Sequence, residues 1–530
     1  MDNSFWSLIP PILAIIMVLM TRRVLFSLGV GIAASALFIA NFNLGETIYL
    51  IWEGVKGVFV DEGALNSGNI FILIFILILG VLTSLINIMG GTRAFGDFMI
   101  KRVQTRVGAQ IMTMIFGIII FIDDYFNSLT VGQVAMPITD KHKISRAKLS
   151  YIVDSTSAPV SVIAPISSWG AYIIGILGTV LATHNITEYN GFSAFIEIIP
   201  MNFYVWAALG VILVIALCKT DFGPMKKHEE RAQKTGKVLM EDNSVEDEAE
   251  KNLPVSKAGT LIDLILPIAV LLVATIAVIF WTGINALEGE DKALMDIFGE
   301  ADVNYSLLVG GAISLIVVFL MFIKHIIRDK LTGRSFVSGF VAGIKSMLPA
   351  FFILIFAWTI VDLIELLGTG NYLGGLVESS NLSLTLLPMI VFTMAGFIAL
   401  ATGSSWGSFG LLLPIAGQIA ASTDIDLMLP MLAAVLAGSV FGDHCSPISD
   451  TTILSAAGSK VSVVDHVTTQ IPYAFVAALI SAVGYLILGL TASVWIGLVG
   501  VIILLVALFF ILQRTKIPEE EENTEQKSIL

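Results

Sequence analysis

Apolar stretches of roughly twenty residues recur along the whole chain, and each is long enough to cross about 30 Å of hydrocarbon. They occupy 24–40, 69–90, 195–218, 261–283, 305–325, 347–367, 471–490 and 495–512, with a shorter one at 5–20. Composition agrees: of 530 residues, 56% are hydrophobic and 13% charged, against about 25% charged in a soluble globular chain. A soluble multidomain enzyme is excluded. The net charge of −13 sits mainly in an internal loop, an outer loop and the tail, so it describes those segments and not a binding face. No basic stripe invites nucleic acid. Cys218 and Cys445 are the two cysteines, too few for a disulfide framework or a zinc site, and no cofactor is expected. Thr21-Arg22-Arg23 follows the first apolar run, the reverse of a cleavable signal peptide, so that run reads as a retained span. The chain reads as an all-α polytopic membrane protein.

Orientation follows from lysine and arginine in the short loops. Arg22 and Arg23, then Arg93, Lys101, Arg102 and Arg106, then Lys141, Lys143, Arg146 and Lys148, and finally Arg328, Lys330 and Arg334 mark cytoplasmic loops. The acidic loop 284–304 belongs outside. These assignments agree if the N-terminus is outside and the C-terminus cytoplasmic. Residues 219–257, with Glu241-Asp242-Asn243-Ser244-Val245-Glu246-Asp247-Glu248, read as a flexible, solvated cytoplasmic linker. The tail at Glu519-Glu520-Glu521-Glu522 is similar.

Two stretches are not simple spans. Residues 107–139 begin and end beside cytoplasmic charge yet carry Asp123-Asp124-Tyr125-Phe126-Asn127-Ser128 at their centre, which predicts a re-entrant hairpin. Residues 149–183 are interrupted at Asp154-Ser155-Thr156-Ser157-Ala158-Pro159 and at Pro165-Ile166-Ser167-Ser168-Trp169-Gly170, which predicts a broken helix. The pattern recurs as a hairpin at 385–422, centred on Thr402-Gly403-Ser404-Ser405-Trp406-Gly407-Ser408, and a broken helix at 427–457 around Gly442 to Thr452. Lys56 pairs with Lys345, Pro137 with Pro414, Pro165 with Pro447 and Pro200 with Pro472, all in order. The expected layout is an extra N-terminal span (1–23), repeat 1 (24–218), the linker (219–257), a connecting span and outer loop (258–304), repeat 2 (305–490), and a last span with acidic tail (491–530). Matching spans run in opposite directions. Inverted repeats with broken helices meeting at mid-membrane are a secondary-transporter architecture. Lys56 and Lys345 are expected on short interfacial helices.

Charge at the bilayer centre costs about 2.5–3.5 kcal/mol even on lenient scales. Asp123, Asp124, Asp154, Asp443 and Asp450 nevertheless fall in or beside the breaks, with no Lys or Arg among them. Such carboxylates are relieved by a proton or a cation. Around them stand oxygen donors: Asn127, Ser128, Thr130, Ser155, Thr156, Ser157, Ser167, Ser168, Thr402, Ser404, Ser405, Ser446, Ser449, Thr451 and Thr452. Gly403, Gly407 and Gly442 permit unwound backbone there. Hard cations prefer such ligands, so sodium fits better than a transition metal, and His444-Cys445 alone is too small a set for zinc. A proton and a sodium ion competing for the same oxygens at one alternating-access site suffice for Na+/H+ exchange, with Asp154, Asp443 and Asp450 as proton-carrying candidates. A plainer role stands beside each: Asp123 or Asp124 caps a half-helix, Asp443 bonds its own turn, Asp450 serves a first helical turn, and His444 is a structural hydrogen-bonder. Asp362 and Glu365 are secondary candidates near the outer end of 347–367. An exchanger of a small organic acid or amino acid is the alternative, with helix N-termini holding the anion.

Gly442-Asp443-His444-Cys445-Ser446-Pro447-Ile448-Ser449-Asp450-Thr451-Thr452 resembles the NhaC family of Na+/H+ antiporters, within the ion transporter superfamily. Asp123 to Ser128 and Pro165 to Gly170 look like its first-half signature. The resemblance implies a bacterial cytoplasmic-membrane exchanger, homodimeric, whose transport domain moves like an elevator against a scaffold, with Na+, H+ and lipid as partners. Relatives of this kind include malate and lactate exchangers, so the resemblance leaves an organic substrate open.

Overall fold

The computed structural model describes residues 5–21, 23–61, 63–240, 255–287, 297, 301–329, 331–368, 372, 383–447 and 449–514. The acidic stretch 241–254, most of the 284–304 loop, Arg22, Lys330, Ile448 and the acidic tail lie outside the described residues. Lipid offers backbone groups no partners, so a spanning segment must satisfy its own, and the described chain is almost entirely helical. Among the described residues seven helices are long and apolar enough to cross a membrane. A bent pair, Gly191–Met201 with Phe203–Cys218 at 43°, raises the number to eight.

One group of helices comprises α1 (Ile9–Thr21), α2 (Val24–Ile39), α3 (Leu44–Phe59) and α4 (Ser67–Met89) with three helices from later in the chain. At 23 residues α4 is about 34 Å long. Its Ile72, Leu73, Phe75, Ile76, Leu79, Leu82, Leu85 and Ile86 are buried. Those three later helices are α14 (Ile262–Ala286), α15 (Val303–Asp329) and α16 (Gly333–Leu366). Gly80 of α4 and Gly343 of α16 touch backbone to backbone, since a Cβ at Gly80 would lie 2.3 Å from the Gly343 carbonyl oxygen. On α3, Leu44, Ile48, Tyr49 and Trp52 are exposed while Thr47 is buried, an amphipathic helix as expected around Lys56. Lys345 is different. It sits inside the continuous 34-residue α16 and not on a separate interfacial helix, because nothing between 333 and 349 breaks the helix and Pro349 is tolerated within it.

The remaining helices hold the breaks. The first hairpin is α6 (Arg106–Ile119) and α7 (Asp124–Lys141), preceded by α5 (Gly91–Arg102). There follow α8 (Arg146–Asp154), the single turn α9 (Ala158–Ser161) and α10 (Ser168–Thr183), then α11 (Gly191–Ile198) and α12 (Phe203–Cys218). The linker contributes α13 (Gly223–Thr235). The second hairpin is α17 (Leu387–Thr402) and α18 (Ser405–Thr423), followed by α19 (Met428–Cys445), α20 (Asp450–Gly458), α21 (Val463–Thr491) and α22 (Val494–Arg514). The hairpins open on opposite faces. Arg146, just past the base of the first, donates to the Ser459 carbonyl near the start of α21. The far end of α21, at Gly489, abuts Thr385 at the base of the second.

Two expectations need correction. Asp443, His444 and Cys445 are not in the break but form the last turn of α19. Proline excludes α conformation from the residue before it, so Pro447 ends the helix at Cys445 and leaves Ser446–Ser449 as the gap. The linker, for its part, is not wholly solvated. In α13, Met225, His228, Glu229 and Ala232 are buried. Lys148 Nζ lies 2.8 Å from Asp221, Arg106 pairs with Glu229, and Glu229 accepts from the Ser145 amide at 2.7 Å. Mixed charge that looks solvated in sequence is here matched to buried partners on α6 and α8.

Candidate functional site

Each break gathers helix N-termini, and polar side chains close them. Asp123 is the N-cap of α7: its Oδ1 accepts from the Phe126 amide at 2.9 Å. Its Oδ2 accepts from Ser168 Oγ at 3.0 Å, and the Ser168 amide donates to the Ile122 carbonyl at 2.9 Å. The start of α10 is thereby stitched to the tip of the first hairpin. Asp443 does the corresponding work for the second. Its Oδ2 accepts from the Oγ (2.7 Å) and the amide (3.3 Å) of Ser405, the first residue of α18. The two tips meet through aromatic rings. Trp169 and Trp406 pack edge to face at 5.4 Å, and Tyr172 donates to the Trp406 carbonyl at 2.8 Å.

Asp124 stands apart. It is the first residue of α7 and 1% exposed, yet among the described residues neither carboxylate oxygen has a hydrogen-bond partner. The Trp169 indole is close, but its Nε1–H makes no hydrogen bond of normal geometry either. The Asp443 carboxylate is near enough for the two charges to interact. The backbone around Asp124 is fixed by hydroxyls: Ser157 donates to the Asp124 carbonyl at 2.7 Å and lies 2.8 Å from Ser128 Oγ. Asn127 Nδ2 reaches the carbonyls of Gly117, Ile120 and Thr156 at 2.7, 2.8 and 3.0 Å, closing the carbonyl end of α6. Burying an unpaired ionised carboxylate is costly, and the positive end of α7 offsets only part of that cost.

Asp154, the last residue of α8, has the opposite environment. It is equally buried, but it accepts from Gln470 at 2.7 Å, His466 at 3.2 Å, Thr452 at 3.3 Å and Ser455 at 3.4 Å. No Lys or Arg stands beside Asp154 among the described residues, but the His466 imidazole does, with Nε2 3.2 Å from Oδ2. Gln470 also donates to the His444 carbonyl. The His444 ring bridges Ser155 Oγ at 3.0 Å and Tyr204 Oη at 2.7 Å. Sequence reading missed His466, Gln470 and Tyr204. Its span began at 471, whereas α21 begins at Val463, and two polar residues four apart on one helical face were the available signal.

The other expected residues are placed as follows. Ser167, Ser404 and Ser449 are N-caps of α10, α18 and α20. Ser167 also donates to the Ser161 and Ala164 carbonyls, and Ser449 contacts Thr451 at 3.0 Å. Thr402 donates to the Ala399 carbonyl, and Gly403 terminates α17 at φ +68°. Thr156 Oγ1 returns to the Ile152 carbonyl. Ser446 is fully buried, and its hydroxyl has no partner among the described residues. Asp450 begins α20, and its side chain lies outside the described residues, as does that of Glu365. Asp362 is exposed near the end of α16. Among the described residues no three His, Cys, Asp or Glu side chains gather as a metal-binding cluster. Among the described residues the site offers a bare carboxylate at Asp124, buried hydroxyls and short helix ends, a set suited to a proton or a hard monovalent cation.

Over 515 residues the chain is 41% identical to an uncharacterised protein of Haemophilus influenzae, covering 97% of this chain and 96% of that one. Over 116 residues it is 34% identical to the malate-2H(+)/Na(+)-lactate antiporter of Bacillus subtilis, 21% of this chain and 24% of that protein. The fold is similar to that of MtrF of Neisseria gonorrhoeae, described as one of a class of antimetabolite efflux pumps. The TM-score is 0.52 at 14% identity, over 85% of each chain. Residues 160–490 match the model of the Na+/H+ antiporter family. The chain is a multi-pass membrane transporter belonging to the Na+/H+ antiporter family.

Proposed function

We propose that this transporter exchanges Na+ for H+ across the bacterial cytoplasmic membrane by alternating access, with Asp124 as the carboxylate for which the two cations compete. The observation that carries this reading is the pair of unpartnered oxygens on a fully buried acid at the tip of a hairpin. Asp443, hydroxyls of the breaks and freed carbonyls complete the shell, while Asp154, hydrogen-bonded to His466 and Gln470, braces the same bundle. Hairpins opening on opposite faces support inverted repeats, with α1–α4 and α14–α16 as scaffold and the hairpin-bearing helices as the moving part. The N-terminus outside, the C-terminus cytoplasmic and a homodimer belong to the same proposal.

Reconstitution into proteoliposomes with a lumenal pH dye tests it. An imposed sodium gradient should drive proton movement in the wild type and not in Asp124→Asn. Absence of any pH change in the wild type rejects sodium–proton exchange. A second reading, exchange of a small organic acid or amino acid, is favoured by the helix N-termini that converge on the breaks, since such ends attract carboxylates. Proton movement dependent on malate, lactate or an amino acid would select it.

A further inference from the structure

A cavity of about 550 Å3 opens on the face opposite the arginine- and lysine-rich helix ends. Its walls come from both helix groups: the starts of α4 and α15 and the end of α16 on one side, the outer half of α10 and the start of α11 on the other. Its ionisable lining residues are Asp302 and Asp362, both exposed, and among the described residues no Lys, Arg or His lines it. The helix N-termini around it are already capped. Asn66 accepts from the Asn69 amide, Asn190 from Ser193 and Asp302 from Tyr305, which weakens their pull on an anion. At the floor lies Trp358, 2% exposed, whose indole Nε1–H has no hydrogen-bond partner. Gly175 makes that floor tight. A Cβ there would sit 3.0 Å from Trp358 Cζ2 and 3.2 Å from Ile72 Cδ1. Along α10, Gly175 is six residues from Trp169, or about 9 Å, so the floor lies just above the buried acids.

The geometry points to this cavity as an entry vestibule for small cations, closed at its base by Trp358 against Gly175. The inference rests on the exchange reading for what passes through, but its charge selectivity is a property of the cavity alone. Facing walls from two helix groups make it a place where relative movement would open or seal a path. Two carboxylates in a partly enclosed space that no Lys, Arg or His lines among the described residues concentrate counter-ions locally, an effect of roughly tenfold or more.

Both native cysteines are buried, so Thr179→Cys and Thr183→Cys each introduce one reporter into the wall. The full-length transporter in right-side-out vesicles is treated with a cationic or an anionic methanethiosulfonate, each rate normalised to that reagent's rate with a free thiol. The cationic reagent should react about tenfold faster, and Asp302→Asn with Asp362→Asn should bring the ratio close to one. Equal normalised rates in the parent, or a preference that survives the double substitution, overturns the proposal. If one reporter fails to insert, the other carries the measurement. Labelling needs no transport, so loss of the sodium–proton reading and loss of this inference are separate results.

Discussion

Asp124 and Asp154 are the same residue type, equally buried and within one bundle, yet their surroundings differ completely. Asp154 is held by four side chains from α20 and α21. Asp124 has none among the described residues. A carboxylate whose lone pairs are filled by protein donors is part of the structure. One whose lone pairs are bare and equally buried is free to take a proton or a cation. Burial alone does not separate these two acids; the inventory of their partners does.

The most damaging way to disturb this contrast is to remove the well-supported acid. Asp154→Ala leaves His466 and Gln470 without their buried acceptor and should cost about 3–5 kcal/mol, read as a large drop in melting temperature in detergent. A melting point near wild type would break the distinction. Asp124→Asn should do the reverse, keeping the melting temperature while sodium-driven proton movement falls by about a hundredfold, the loss of a charge-assisted contact worth ~3 kcal/mol. Sodium itself should sharpen the comparison. At about 100 times its dissociation constant it should stabilise the wild type by ~2.7 kcal/mol, and Asp124→Asn should abolish that shift. The smallest effect is expected from Ser168→Ala. It removes one donor from Asp123 and should cost about 1.5 kcal/mol, with the α7 cap to Phe126 surviving.

Much of this was legible in the sequence. Apolar length gave most of the spans, although 24–40 holds only the short helix α2 and Ile425–Cys445, read as half of a broken helix, is long enough to cross alone; acids beside serines and prolines marked the breaks. Asp123 carried the composition of a helix cap, whereas Ser167, read as an oxygen donor at the site, caps α10. The partners of Asp154 were not legible, because His466 and Gln470 lie 312 and 316 residues away and reach it only through the packing of α21 on α8. For the same reason Asp124 and Asp154 looked alike in sequence. The docked helix α13 was hidden by its own composition: Glu229 and Asp221 find Arg106 and Lys148 only after folding, and a mixed-charge run reads as solvated until those pairings exist. Lys345 misled because amphipathic and apolar patterns merge without a breaker into one long α16.

Gly132 and Gly458 bring α7 and α20 into direct backbone contact: a Cβ at Gly132 would lie 2.7 Å from the Gly458 carbonyl carbon, and one at Gly458 2.6 Å from the Ser128 carbonyl oxygen. A joint without side chains has no rotamers with which to adjust, so it behaves as a weld between segments more than 300 residues apart in sequence. Any movement that exposes Asp124 to water has to carry both segments together. Compliance must then be sought elsewhere, at the boundary where α10 and α18 meet α16.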